Sequence, residues 1–170
     1  ERIGEHKMHS ERIQVKKLAL EELVLQLEKG SPVVAVGTTA VRTLESIYWL
    51  GCALAKNIGY ASPLVVSQWQ RYDMLPDEML SPQEAVRAVL LYLEKEDMDE
   101  LTAFTEIIIA PGYTFRMVDG LITNFHQPDS TLLLLVAALV GDDWRKIYSY
   151  AMDNNFRFLS FGDSSLLMKK

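Results

Sequence analysis

Apolar positions recur at helical spacing between residues 15 and 29, where Leu20, Leu23, Val24 and Leu27 share one face until Gly30-Ser31-Pro32 ends the pattern. Val33 to Val36 is a short β-branched run without polar alternation, which predicts a strand covered on both faces. Gly37-Thr38-Thr39 leads straight into a second helical stripe of Val41, Leu44, Ile47, Tyr48 and Leu54. Beyond Gly59, Leu64-Val65-Val66 predicts a buried strand. Gln68 to Pro82, aromatic, acidic and interrupted by proline, predicts a loop. Ser81-Pro82-Gln83-Glu84 joins an N-cap, a proline at the first helical position and the acid of a capping box. A helix through Val86, Val89, Leu90 and Leu93 should follow. Ile107 to Ala110 predicts a strand stopped by Pro111-Gly112, Phe115 to Val118 a weaker extended piece, and Leu121-Ile122-Thr123 a further strand. Leu132 to Val140 and Asp142 to Met152 predict helices, the second with Trp144, Ile147, Tyr148 and Ala151 inward. The alternation of Phe156 to Ser160 predicts a last strand.

Strands alternating with helices predict an α/β fold with a largely parallel sheet and helices on both faces. At 170 residues the chain is expected to form a single α/β domain, residues 1–170. In such sheets ligands bind outside the carboxyl ends of the strands. Functional loops should therefore gather after Val36, Ala110, Thr123 and Ser160.

Composition is that of an ordinary soluble globular protein, with 49% hydrophobic and 24% charged residues. The net charge of −6 argues against a surface that grips nucleic acid by counterion release alone. A local basic face would have to come from Lys16 with Lys17, Arg145 with Lys146, or Lys169 with Lys170. Cys52 is the single cysteine, so no internal disulfide or cysteine-cluster metal site forms, and a reducing, cytoplasmic setting is expected. The longest apolar run, Leu132 to Val140, falls far short of the roughly 20 residues that cross a bilayer. No membrane partner is expected. The opening Glu-Arg-Ile-Gly, without Met or a signal pattern, predicts a fragment of a longer protein.

Candidate chemistry sits at the predicted strand ends. Gly37-Thr38-Thr39 with Arg42 offers helix-start N–H groups, two hydroxyls and a guanidinium, a set that suits a carboxylate or phosphate. The same residues are also explained by Thr39 as a cap and Arg42 paired with Glu45 on the helix surface. His126 titrates near neutrality and follows a strand, with Asn124 as orienter and Asp129 as partner, which fits a general acid or base. A capping or hydrogen-bonding loop histidine fits that spacing too. Ser130, after Pro128-Asp129, is a helix N-cap. Asp163 is either an Asx-turn residue or a carboxylate at a strand end. His6 and His9 share a helical face but lack a third ligand, so no metal is expected. Trp49, Trp69 and Tyr72 either stack a nucleobase or pack in the core. P-loop, G-x-G-x-x-G and G-x-S-x-G patterns are all missing. The residues thus define an α/β domain with a polar edge and a small polar ligand.

The ordered set Met8-His-Ser-Glu11, Val36-Gly-Thr-Thr-Ala-Val-Arg-Thr-Leu-Glu45, Pro111-Gly-Tyr-Thr-Phe115, Val118-Asp-Gly-Leu-Ile-Thr-Asn-Phe-His126, Ser130-Thr-Leu132 and Phe158-Leu-Ser-Phe-Gly-Asp163 resembles the motifs of the S-adenosylmethionine:tRNA ribosyltransferase-isomerases. The resemblance runs nearly end to end but covers only the carboxyl-terminal portion of the family's usual chain, without its small β-barrel domain. It implies an enzyme of queuosine biosynthesis. Such enzymes transfer and isomerise the ribosyl group of S-adenosylmethionine onto 7-aminomethyl-7-deazaguanine in tRNA, giving epoxyqueuosine and releasing adenine and methionine. The resemblance implies S-adenosylmethionine as co-substrate, no metal, and tRNA as partner through the full-length protein. It assigns catalysis to His126, with Asn124 and Asp163, and substrate binding to His9, Glu11, Thr38, Thr39, Arg42, Asp119, Ser130 and Thr131.

Three departures mark a divergent branch. Residues 66–105 are longer than the family pattern and form an insertion with its own capped helix. Gln127 stands where a hydrophobic residue is usual, and Ser164-Ser165 replaces a more apolar pair. Two alternatives therefore stand beside the ribosyltransferase reading: a non-catalytic S-adenosylmethionine or nucleoside-binding module, and a same-scaffold enzyme acting on a free small molecule.

Overall fold

The computed structural model describes residues 8–56, 63–69, 79–128 and 130–170. Its elements run β1 (Glu11–Lys16), α1 (Lys17–Glu28), β2 (Val34–Val36), α2 (Thr38–Ala55), β3 (Leu64–Val66), α3 (Pro82–Lys95), β4 (Glu100–Thr105), β5 (Gly120–Asn124), α4 (Thr131–Val140), α5 (Asp143–Asp153), a 3-10 turn (Leu159–Phe161) and β6 (Ser164–Met168). They pack as two compact units. One holds the chain through Ser31 and from Thr43 to Ile108, the other Pro32–Arg42 and Ile109–Lys170.

In the first unit β4 is central, with β1 antiparallel on one side and β3 parallel on the other, pairing Ile13 with Ala103 and Val65 with Phe104. Leu20 and Val24 turn the buried stripe of α1 inward, and α1 lies against α3. Helix α3 starts as its sequence dictates. The Ser81 hydroxyl accepts from the Glu84 N–H while the Glu84 carboxylate accepts from the Ser81 N–H, which closes the capping box. Gly51 on α2 lets the Ala85 carbonyl approach so closely that an added Cβ would stand 2.0 Å from its oxygen. The stretch of α2 in this unit is buried on every side from Glu45 to Ala53, beyond the residues of the predicted stripe.

The second unit carries the sheet β2-β5-β6, with β2 and β5 parallel and β6 antiparallel to β5. Asp119 ties its ends together. The Asp119 carboxylate accepts from the Val33 N–H at 3.0 Å and pairs with Lys169 at 3.1 Å, and its carbonyl accepts from the Lys169 N–H. Ser130 caps α4 by accepting from the Leu133 N–H. Phe125 meets Tyr148 of α5 and Phe156 edge to face at 5.5 Å.

Helices and strands near α1, β2, α2, β3, α3, β5, α4 and α5 stand where the pattern predicts. The expected largely parallel sheet does not: among the described residues two strand pairs are parallel and two antiparallel. The antiparallel pairs come from β1 and β6, neither of which the hydrophobic pattern predicts. Ile107 to Ala110 is buried but irregular, and the strand is β4, just before it. The Thr105 hydroxyl accepts from the Ile107 N–H at 3.2 Å, so the backbone bonds to a side chain and leaves the ladder. Phe115 to Val118 bends instead of extending. Phe156 to Ser160 is no strand because Leu159 (φ 63°) and Gly162 (φ 107°) turn the chain before β6 begins. Strand β2 is covered on one face only, since Val34 and Val36 are 39% and 71% exposed. His6, Asp129, Tyr72 and most of the expected loop between Gln68 and Pro82 lie outside the described residues.

Candidate functional site

Strands β2 and β5 run parallel and end side by side, and each carboxyl end delivers polar residues. After Val36 the chain turns at Gly37, whose φ of +87° suits glycine and whose N–H donates to the Ile122 carbonyl at 2.8 Å. The Gly37 carbonyl accepts from Val41, so α2 begins at once and the N–H groups of its first turn have no helical acceptor. After Thr123 and Asn124, β5 runs into Phe125 and His126. Strand β6 starts opposite, with Ser164 in register with Asn124. Between them lies a cavity of about 450 Å³ lined by Val36, Gly37, Thr38, Thr39, Ile122, Thr123, Asn124, His126 and Ser164. That volume is in the range of small-molecule sites.

His126 is held from two directions. Its Nε2 stands 2.9 Å from the Thr123 hydroxyl oxygen, and its main-chain N–H donates to the Tyr148 hydroxyl at 3.0 Å. Burial pushes the imidazole below its ordinary value of 6.5, because a half-buried ring loses hydration that a cation needs. It is therefore neutral at pH 7, with one bare nitrogen and one N–H. Burial pushes the Tyr148 phenol upward, so it stays protonated. A neutral imidazole, helix-start N–H groups and two threonine hydroxyls in one cavity can move a proton at one point of a ligand and hold an anionic or hydroxylated group at another.

The other expected site residues are placed as follows. Arg42 lies in the same unit but is buried and does not line the cavity, and Glu45 is fully buried, so neither stands on the helix surface where the sequence pattern puts them. Asp119 sits at the opposite end of β5 from His126, in the strand tie described above. Ser130 accepts from Leu133 and donates to the Gln127 carbonyl, and Thr131 opens α4. Asp163 is taken by Arg157, accepting from its main-chain N–H and its guanidinium, which holds the carboxyl below its usual range. That clamp closes the loop that delivers Ser164. His9 and Glu11 belong to the first unit, His9 exposed and Glu11 the first residue of β1. Trp49 is fully buried edge-on to Tyr48, a core residue. Thr123 escapes the sequence reading, although its place at the strand end three residues before His126 is visible there, and Asn124 makes no such bond to the ring.

Among the described residues no cluster of three His, Cys, Asp or Glu is arranged to hold a metal, and no helix is long and apolar enough to cross a membrane.

A mixed α/β unit with a polar cleft where two parallel strands end and a helix starts has the architecture in which open α/β sheets place their ligand crevice. Comparison with known proteins narrows the class. The chain belongs to the family described as queuosine biosynthesis protein, whose model matches residues 1–167. It is 34% identical over 169 residues to an S-adenosylmethionine:tRNA ribosyltransferase-isomerase from Halothermothrix orenii, and 36% identical over 171 residues to one from Paraburkholderia phymatum. Each match covers 99% of this chain and 37% of the relative, so the chain spans little more than a third of their length. The crystal structure of S-adenosylmethionine tRNA ribosyltransferase from Thermotoga maritima matches with a TM-score of 0.60 and 33% identity, over 92% of this chain and 40% of that one.

Proposed function

We propose that the whole protein of which this chain forms part transfers and isomerises the ribosyl group of S-adenosylmethionine onto 7-aminomethyl-7-deazaguanine in tRNA, in the cytoplasm. The product is epoxyqueuosine, and adenine and methionine leave. The observation that carries the reading is the cleft itself, which brings the neutral His126 together with Thr38 and Thr39 at the start of α2. The positive sulfur of the co-substrate acidifies the neighbouring C5′ hydrogens. In this reading His126 accepts that proton, adenine departs from the opened ribose, and the amine of the tRNA base attacks. Thr38 and Thr39, with the helix-start N–H groups, hold the carboxylate or the ribose. Asn124 and Ser164 complete the walls, while Asp119, Ser130 and Asp163 hold the frame through the contacts given above. His9, Glu11, Arg42 and Thr131 are kept as candidates for substrate contacts. Residues 66–105, including the capped helix α3, are proposed as an insertion that reshapes the surface offered to the acceptor.

The test uses the full-length protein, S-adenosylmethionine labelled in adenine, and tRNA carrying the aminomethyl-deazaguanine base. Adenine released only when that tRNA is present is the expected result. Release without tRNA would point to a free small-molecule acceptor. Binding of S-adenosylmethionine without any release would leave a binding module.

A further inference from the structure

The contact between Thr123 and His126 does more than fix a side chain. A neutral imidazole carries its proton on one nitrogen only, and the partner of one nitrogen decides what the other offers a ligand. Here the partner is a hydroxyl, which can donate or accept. Thr123 is buried, its carbonyl accepts from the Ser165 hydroxyl at 3.3 Å, and the His126 main chain is held by Tyr148. The main chains of both residues are thus held by separate contacts, and the 2.9 Å separation of hydroxyl and Nε2 is a good hydrogen bond.

We infer that Thr123 is the positioning residue of His126: its hydroxyl engages Nε2, which leaves Nδ1 as the ring nitrogen that meets the ligand. A bare Nδ1 is what a general base needs, and an Nδ1–H would make the ring a donor instead. Asn124, the orienter expected from spacing, is not needed for this. Thr123 does not touch the ligand's reacting atoms in this assignment. It fixes which nitrogen of His126 meets them.

The consequence for turnover rests on the ribosyl-transfer reading, whereas the protonation of the ring can be read without any substrate. In the full-length protein labelled with 15N, the His126 signals are identified by their loss in His126→Gln. The expected spectrum at neutral pH shows a single tautomer. Thr123→Val should convert this to a mixture of the two tautomers, and Thr123→Ser should restore it. Tyr148→Phe, which removes only a bond to the His126 main chain, should leave the tautomer as it was. In adenine release, Thr123→Val should lower kcat about ten- to hundred-fold, the range seen when a ring nitrogen loses its supporting partner at metal sites, with little change in KM. A mixture of tautomers in the unmutated protein, or a tautomer that does not respond to Thr123→Val, would overturn the assignment. An equal response to Tyr148→Phe would overturn it too. If the tautomer is as stated but no adenine is released, the ribosyl-transfer reading falls and the positioning stands.

Discussion

In the proposed reaction the chemistry of the cleft turns on the charge of one ring. His126 is neutral at pH 7 because burial disfavours its cation. His126→Ala should reduce adenine release by roughly 10²–10⁴-fold, the contribution typical of a positioned acid or base. Circular dichroism should show the fold intact, since it is the His126 main-chain N–H that donates to the Tyr148 hydroxyl. On the acid side, kcat/KM should fall with an apparent pKa below 6.5. The same shift has a stability consequence of definite sign. The folded value lies below the unfolded one, so on acidification the unfolded chain takes up the proton first and gains population. The stability contributed by the neutral ring is complete above about 6.5, declines as pH falls below it, and is lost once pH has passed through the lower folded value. Urea midpoints measured between about pH 7 and 5 should therefore drop more steeply for the unmutated protein than for His126→Gln. Equal slopes would mean that the ring is not buried in the way described.

At the scale of elements, two glycines on or beside α2 separate backbone strain from packing. Gly37→Ala forces a side chain onto a residue at φ +87°, yet nothing lies within 4 Å of the new Cβ. The expected loss is about 1–2 kcal/mol of unfolding free energy, the penalty of left-handed backbone. Gly51→Ala would be favourable by roughly 1 kcal/mol in an isolated helix, but its Cβ would meet the Ala85 carbonyl at 2.0 Å, and backbone cannot rotate away. Overpacking of this kind costs typically about 1–3 kcal/mol and sometimes more, so chemical denaturation should show Gly51→Ala as destabilising despite its helix preference. The contrast also explains which elements are legible in the chain. Ser81-Pro82 and Glu84 announce α3 because a capping box is local, and Ser130 announces α4 for the same reason. Strand β1 is hidden although Ile13 and Val15 alternate with Arg12, Gln14 and Lys16, because the helical spacing that follows invites an early start. Strand β4 is displaced in the sequence reading because Ile107 to Ile109 is more apolar than Leu101, Ala103 and Thr105. Burial of those isoleucines is real, and only the Thr105 hydroxyl bond shows why they leave the ladder. In the cleft, Thr38, Thr39, Asn124 and His126 are legible from their places at predicted strand ends. Thr123 is not, because a strand threonine carries no signal of its bond to a residue beyond the strand.

At the scale of the whole molecule the proposed function raises the question of where a tRNA phosphate backbone would be held. Nucleic-acid affinity at ordinary salt depends on cations free to release counterions. Most of the basic residues in the three pairs noted in the chain are committed to acids instead. Lys17 pairs with Glu94, Arg145 with Asp142, Lys146 and Lys170 with Asp143, and Lys169 with Asp119. The two lysines on Asp143 hold its carboxyl below its usual range. A phosphate at these positions would have to displace a carboxylate already in place, and with a net charge of −6 the chain supplies no surplus of cations for the exchange. Replacing both Arg145 and Lys146 by glutamine in the full-length protein should therefore leave tRNA affinity within about two-fold. The slope of log K against log salt should change by less than the roughly 0.7–0.9 that each neutralised phosphate adds to it. Filter binding at several salt concentrations measures both quantities. A slope that fell by about two units would show that this pair grips the backbone and that the ion pairs open on binding.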